Sequence, residues 1–258
     1  MKSDSTRLFF LDAAAIGLVS ILICIASQRL PLMTAGVLLV LLGRLLLLAL
    51  LPPADGLSLK AEILFFLICL GLGAFNDWNS VVRHRIYDYT VPSDLAWSSI
   101  PLWMLLYWGL ILRSFARLCR WQALDPPAAP RNLVRLGFFT LENAGAKIAL
   151  ELILVLLTRQ TIYRLYLDPL LSWLPFAAAL ILAVLLFGLT RHDLKILGCL
   201  ALFGPGAEIL YINVGNLHHY HLGWIGGVPL WIALWWLLAA LVGKDLALRL
   251  ELALRRRL

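Results

Sequence analysis

The chain has 258 residues, 62% of them hydrophobic and 14% charged, with a mean hydropathy of +0.87 and a formal net charge of +7. Ordinary soluble domains are about 45–50% apolar and about 25% charged, so this composition excludes a water-soluble enzyme. With no stretch that is both weakly hydrophobic and highly charged, disorder is excluded as well.

In chain order, eight apolar runs approach the roughly 20 residues that a helix needs to cross about 30 Å of hydrocarbon. They lie at 8–28, 31–52, 60–77, 98–117, 134–157, 171–190, 195–213 and 224–243. The sequence therefore predicts an all-α fold, a polytopic transmembrane bundle of about eight helices. Lys2 and Arg7 precede the first run as in a signal peptide, but Asp12 interrupts it and no small-residue cleavage site follows, so it reads as a mature helix. The cysteines Cys24, Cys69, Cys119 and Cys199 form no C-x-x-C pair and suggest neither a zinc site nor a disulfide framework.

Eight crossings place both termini on one side, together with fifteen of the 22 Lys and Arg residues, Arg113, Arg117 and Arg120 among them. The opposite side holds Arg29, Arg83, Arg85, Arg159 and Arg164, while Arg44 and Lys147 fall within apolar segments. This asymmetry predicts a multi-pass protein of the cell membrane with cytoplasmic termini. A basic tail from Lys244 onward, lying against anionic headgroups, accounts for the positive charge without a nucleic-acid partner.

The two halves of the chain resemble each other. Residues 101–108 read Pro-Leu-Trp-Met-Leu-Leu-Tyr-Trp and residues 229–236 read Pro-Leu-Trp-Ile-Ala-Leu-Trp-Trp. Upstream, Tyr87 to Thr90 face His218 to His221, Asp77 faces Glu208, and Gly73 faces Gly204. The pattern predicts a four-helix half over 1–117, a linker over 118–132 and a second four-helix half over 133–258. Four crossings per half make the halves parallel, related by a pseudo-twofold axis along the membrane normal.

An ionisable group at membrane depth costs at least about 2.5–3.5 kcal/mol and usually faces a bundle interior or a cavity. Glu142, Asn143, Lys147 and Glu151 fall in the fifth segment, and the spacing of the last three predicts one polar helical stripe. Asp77 and Glu208 each close an apolar helix before an aromatic loop. If symmetry brings them to one pocket, like charges leave one carboxyl protonated beside an ionised one, which is the arrangement of an acid–base pair. His218 and His221 are placed to tune Glu208, with His219 toward the headgroups. Five histidines are too few for a membrane di-iron centre, so neither a metal nor a cofactor is expected. Trp78, Tyr89, Trp103, Tyr107, Tyr220, Trp231 and Trp235 are candidate walls of a cavity whose ring faces stabilise positive charge, as a carbocation intermediate requires.

An acid closing a helix, an aromatic ten to twelve residues on, and a proline that opens the next helix recur in both halves. The carriers are Asp77, Tyr87 and Tyr89 before Ile100-Pro101, and Glu208, Gly215 and Tyr220 before Gly227-Val228-Pro229. This arrangement resembles the integral membrane carotenoid enzymes, namely the small-subunit type lycopene cyclases and the carotenoid hydratases. It is similar in outline to the fungal membrane meroterpenoid cyclases. The resemblance implies an acidic pair that protonates an alkene or epoxide and takes up the final proton. Trp103 and Trp231 stand where those lycopene cyclases carry a carboxylate, so it implies the general scheme rather than lycopene cyclisation itself. The resulting expectation is a metal-free membrane enzyme acting on an isoprenoid or other apolar lipid, with Asp77, Glu208, His218 and His221 at the site. Its rival is a transporter or lipid-binding protein with an intramembrane polar pathway, for which Gly204, Pro205 and Gly206 could break the seventh helix.

Overall fold

The computed structural model describes residues 2–53 and 56–257. The side chains of Lys2 and Arg257, counted above among the basic residues, lie outside that set. Eight helices follow one another: α1 (Lys2–Ile25), α2 (Leu30–Leu50), α3 (Leu59–Asp77), α4 (Leu102–Arg120), α5 (Ala144–Leu165), α6 (Leu174–Phe187), α7 (Arg191–Asn213) and α8 (Leu230–Arg257). Two short antiparallel sheets join them, one pairing β1 (Tyr87–Tyr89) with β4 (His218–Tyr220), the other β2 (Leu133–Leu136) with β3 (Phe139–Glu142). The protein is a multi-pass helical membrane protein.

Among the described residues six helices are long and apolar enough to cross a membrane, namely α1 to α4, α7 and α8. α6 is apolar but has only 14 residues, which at about 1.5 Å per residue falls short of the hydrocarbon thickness. The outer faces of the spans are what lipid requires: Ile21, Leu39, Leu42, Leu67, Phe75 and Leu202 are all exposed. Ser5 on α1 donates to the Arg120 carbonyl at 3.0 Å, and Arg120 lies 3.8 Å from Glu251, so the start of α1 and the ends of α4 and α8 share one basal end. The β1–β4 pair caps the opposite, apical end.

The fifth segment departs from expectation. Residues 134–142 form the β2–β3 hairpin, whose two-residue loop starts with Gly137 at φ 61°; that left-handed conformation suits glycine and turns the chain back on itself. The helix starts only at Ala144, with the Asn143 side chain accepting from the Ala146 N–H at 2.9 Å. Glu142 is therefore an exposed strand residue and Asn143 a cap, and the expected polar stripe reduces to Lys147 and Glu151. The seventh helix is likewise unbroken: α7 runs through Pro205.

Between helices in lipid, close backbone approach and van der Waals packing replace the hydrophobic effect, which favours small residues at contacts. Gly73 on α3 sits under the Trp108 ring of α4, and Gly204 on α7 sits under Trp236 of α8; a Cβ at either glycine would overlap the indole. The two matched glycines of the sequence repeat thus perform the same packing in each half.

Charges bind the basal end. In the first half Arg44 of α2 reaches Asp12 of α1 at 2.6 Å and Glu62 of α3 at 2.7 Å, while Arg113 and Arg117 of α4 reach Glu62 at 2.8 and 2.9 Å. All five side chains are buried. Arg113 and Arg117, read from the sequence as loop charges, are interior ion-pair partners. In the second half Lys147 of α5 contacts Asp245 of α8 at 3.0 Å and Glu151 at 3.5 Å, Arg249 closes on Asp245 at 2.5 Å, and Lys244 pairs with Asp193 of α7. The segment from Lys244 continues α8, with Leu248, Glu251 and Leu254 buried against the bundle.

Candidate functional site

Both acids singled out by the sequence end up at the apical end, each gripped by the strand that follows it. After Asp77 the chain makes one π-helical turn over Trp78–Arg83, turns at Arg85 with φ 49°, and enters β1. After Glu208 it finishes α7, turns at Asn216 with φ 45°, and enters β4. Side chains two apart in a strand share a face. Tyr87 and Tyr89, ten and twelve residues beyond Asp77, donate to its two oxygens at 2.7 and 2.6 Å. His218 and Tyr220, ten and twelve residues beyond Glu208, contact its Oε2 at 3.0 and 3.1 Å.

The strands pair antiparallel with Tyr87 opposite Tyr220, Asp88 opposite His219 and Tyr89 opposite His218. A twofold axis through the Asp88–His219 pair produces that register, so the two acid sites are related across the ladder. The Tyr87 and Tyr220 rings meet at 5.3 Å between centroids and join the two clusters. Burial, reinforced by the adjoining carboxylates, pushes the phenols of Tyr87, Tyr89 and Tyr220 well above their ordinary range. They therefore stay protonated and serve as hydrogen-bond donors.

The two sites differ in access. Asp77 is fully buried, with both oxygens occupied by tyrosine hydroxyls. Glu208 borders two cavities. One, of about 50 Å³, is walled by Tyr89, Trp103, Tyr107, Tyr211 and His218, where Tyr107, Tyr211 and Ser20 of α1 form a hydroxyl triangle with edges of 2.7–2.9 Å. The other, of about 210 Å³, is walled by Asn76, Ser80, Tyr87, Arg159, Tyr220, Trp231 and Trp235. It shares Leu72, Leu112, Trp235, Trp236 and Ala239 with an apolar cleft of about 230 Å³ that runs down between α3, α4 and α8 past Phe65 and Phe115.

Most of the expected cavity residues therefore line these spaces, but Trp78 does not; it projects outward, 45% exposed. His221 also lies elsewhere. Its Nε2 contacts the Arg85 carbonyl at 2.8 Å, and its ring packs near Tyr166, on the strand face away from Glu208. The sequence reading missed Ser20, Ser80, Arg159 and Tyr211 as parts of the site. Arg159, on α5, donates to Ser80 Oγ at 2.6 Å and stacks 4.9 Å from the Trp235 ring. It is buried, and among the described residues no carboxylate lies within ion-pair distance of it. A lone arginine counted with the loop charges was the available signal.

Two solved structures share this fold. A mycobacterial Insig homolog, MvINS from Mycobacterium vanbaalenii, superposes with a TM-score of 0.58 at 21% identity, covering 78% of this chain and 98% of that one. A cross-linked cysteine variant of MvINS, a trimer, superposes with a TM-score of 0.57 at 23% identity and the same coverages. At such identities the likeness is one of fold. Neither a family model nor a curated protein matches the chain.

Proposed function

We propose that this protein binds an amphipathic lipid in the cleft between its halves, with the apolar body between α3, α4 and α8 and an oxygen-bearing head beneath the β1–β4 cap. The carrying observation is the continuity of the two compartments: an apolar cleft that passes Trp235 and Trp236 into a chamber offering Arg159, Tyr220 and Glu208. A buried guanidinium without a carboxylate partner favours an acceptor-rich head, since an unmatched buried charge is expensive. The indole N–H of Trp236, which also lacks a partner among the described residues, adds a neutral donor at the junction. The likeness in fold to an Insig homolog is compatible with binding as the role and does not by itself argue for chemistry.

Acid–base cyclisation or hydration of an isoprenoid is the second reading, and one observation favours it: the Glu208–His218 contact at 3.0 Å beside a cavity. It loses its second acid, because Asp77 is sealed beneath Tyr87 and Tyr89 and could exchange a proton with a ligand only through them. On either reading the excess of Lys and Arg at the basal end supports cytoplasmic termini.

Lipid extracted from protein purified in mild detergent and identified by mass spectrometry tests the proposal. One amphipathic species should be retained by the wild type and lost on filling the cleft with Ala239→Trp, in protein that remains monodisperse. Arg159→Gln should weaken retention, whereas Asp77→Asn should spare it. Equal retention by the cleft-filled protein would refute binding there. Chemical conversion of an added isoprenoid by the wild type and not by Glu208→Gln would replace binding with catalysis.

A further inference from the structure

The face of the β1–β4 ladder that turns away from the acids carries a second constellation. Alternation along the strands sends Asp88, His219 and His221 outward while Tyr87, Tyr89, His218 and Tyr220 point in. The Asp88 carboxylate lies 3.5 Å from His221 Nε2 and 3.9 Å from His219 Nε2, and one ligand atom from each of the three residues falls within 4.8 Å of the others. We propose that these three side chains bind a divalent transition-metal ion, zinc being the probe of choice, and that the ion staples the two halves of the chain at their apical end. This does not depend on what occupies the cleft.

The donor set selects the class of ion. Two neutral imidazoles and one carboxylate suit a borderline cation such as Zn²⁺, Ni²⁺ or Cu²⁺, whereas Ca²⁺ and Mg²⁺ prefer shells of oxygen. Tetrahedral coordination at about 2.0–2.1 Å sets ligand atoms about 3.3 Å apart, so the present separations close by rotation of side chains that all reach solvent. Three protein ligands leave a position for water. His221 would release the Arg85 carbonyl, which its Nε2 contacts at 2.8 Å, and carry its proton on Nδ1. Arg83 and Arg85 are the charged groups of the adjoining turn, and neither forms an ion pair with Asp88 among the described residues.

The position gives the ion leverage. Asp88 and His219 are the central partners of the ladder, one from each half, directly opposite each other. An ion held by both ties together two segments 131 residues apart in sequence, and binding to the folded state alone raises stability with ion concentration. His218 and Tyr220, which hold Glu208, flank His219 on the same strand, so the metal would stiffen the roof of the chamber.

The test uses the full chain, purified without a polyhistidine tag in mild detergent near neutral pH, with unfolding followed by tryptophan fluorescence. Micromolar Zn²⁺ should raise the unfolding midpoint of the wild type by several degrees, and Mg²⁺ should not. The combined Asp88→Asn, His219→Gln and His221→Gln variant keeps all four cysteines and should lose the shift. No shift in the wild type, or an equal shift in the variant, would overturn the proposal. Should the triple variant prove unstable, His219→Gln alone and metal analysis after gel filtration decide the matter. About one zinc per wild-type chain is expected, reduced in the single variant; no retained zinc, or no reduction, would count against the site.

Discussion

The two halves of the molecule share a plan and differ in how tightly they are closed. In the first, three arginines converge on Asp12 and Glu62 and tie α1, α2, α3 and α4 into one ionic knot. In the second, the charges fall into separate groups, Lys147, Glu151, Asp245 and Arg249 in one, Asp193 with Lys244 in another and Glu251 with Arg255 in a third; α6 has no ionisable side chain. A cavity of about 400 Å³ opens among Lys147, Glu151, Asp193, Lys244 and Asp245. The same contrast recurs apically, where Asp77 is sealed and Glu208 is open to the chamber. The two halves thus place their acids alike while leaving the second one accessible.

That contrast can be broken by mutation. Arg113→Leu removes the bidentate partner of Glu62 and should cost about 3–5 kcal/mol, as expected when one member of a buried pair is lost. Lys147→Met should cost less, about 1–3 kcal/mol, because Arg249 still neutralises Asp245 and Glu151, which loses its one ion-pair partner among the described residues, can take up a proton and stay neutral. Equilibrium unfolding in mixed micelles measures both, and equal losses would erase the distinction between halves. Gly73→Val and Gly204→Val sharpen the symmetric side of the comparison: each overpacks a tryptophan and should cost about 1–3 kcal/mol, with similar values for the pair.

Tyrosinate absorbance offers a milder probe. The raised phenols of Tyr87, Tyr89 and Tyr220 should stay protonated as the pH passes the ordinary tyrosine value of about 10, titrating only as the cap opens. The sign follows from the shift: a raised phenol stabilises the fold below its unfolded value, and that contribution is lost as the pH climbs through the folded one. Stability should therefore fall on the alkaline side. The smallest effect belongs to Lys195→Ala, which breaks the exposed contact with Asp125 and should leave the unfolding midpoint unchanged.

How much of this was legible in the sequence depended on the range of the interaction. Helix existence follows from apolar length, and the correspondence of the two acid sites was visible in the paired spacings from Asp77 and Glu208, but the strand pairing that joins them was read as loop, because three-residue strands carry too short a pattern to show. The β2–β3 hairpin was hidden because Leu133 to Leu141 is as apolar as a span; Gly137 was the one turn signal within it. Arg113, Arg117 and Arg159 were read as loop charges, since a linear count cannot see partners 51, 55 and 79 residues away. Asp12 and Arg44, each isolated in an apolar run, were the available signals of the buried knot and were not joined into one, while Glu62 stands two residues from Lys60 at the start of α3 and offered none. The outward cluster at Asp88 needed the strand register, which no periodicity supplied.

Gly73 against Trp108 and Gly204 against Trp236 have a mechanical corollary. Each contact lies within one half, and neither leaves room for a single extra carbon, so the α3–α4 and α7–α8 pairs resist internal shear. Compliance is then concentrated along the seam that separates them, where the cleft lies, and a guest wedged into that seam would register as strain on the six paired residues overhead.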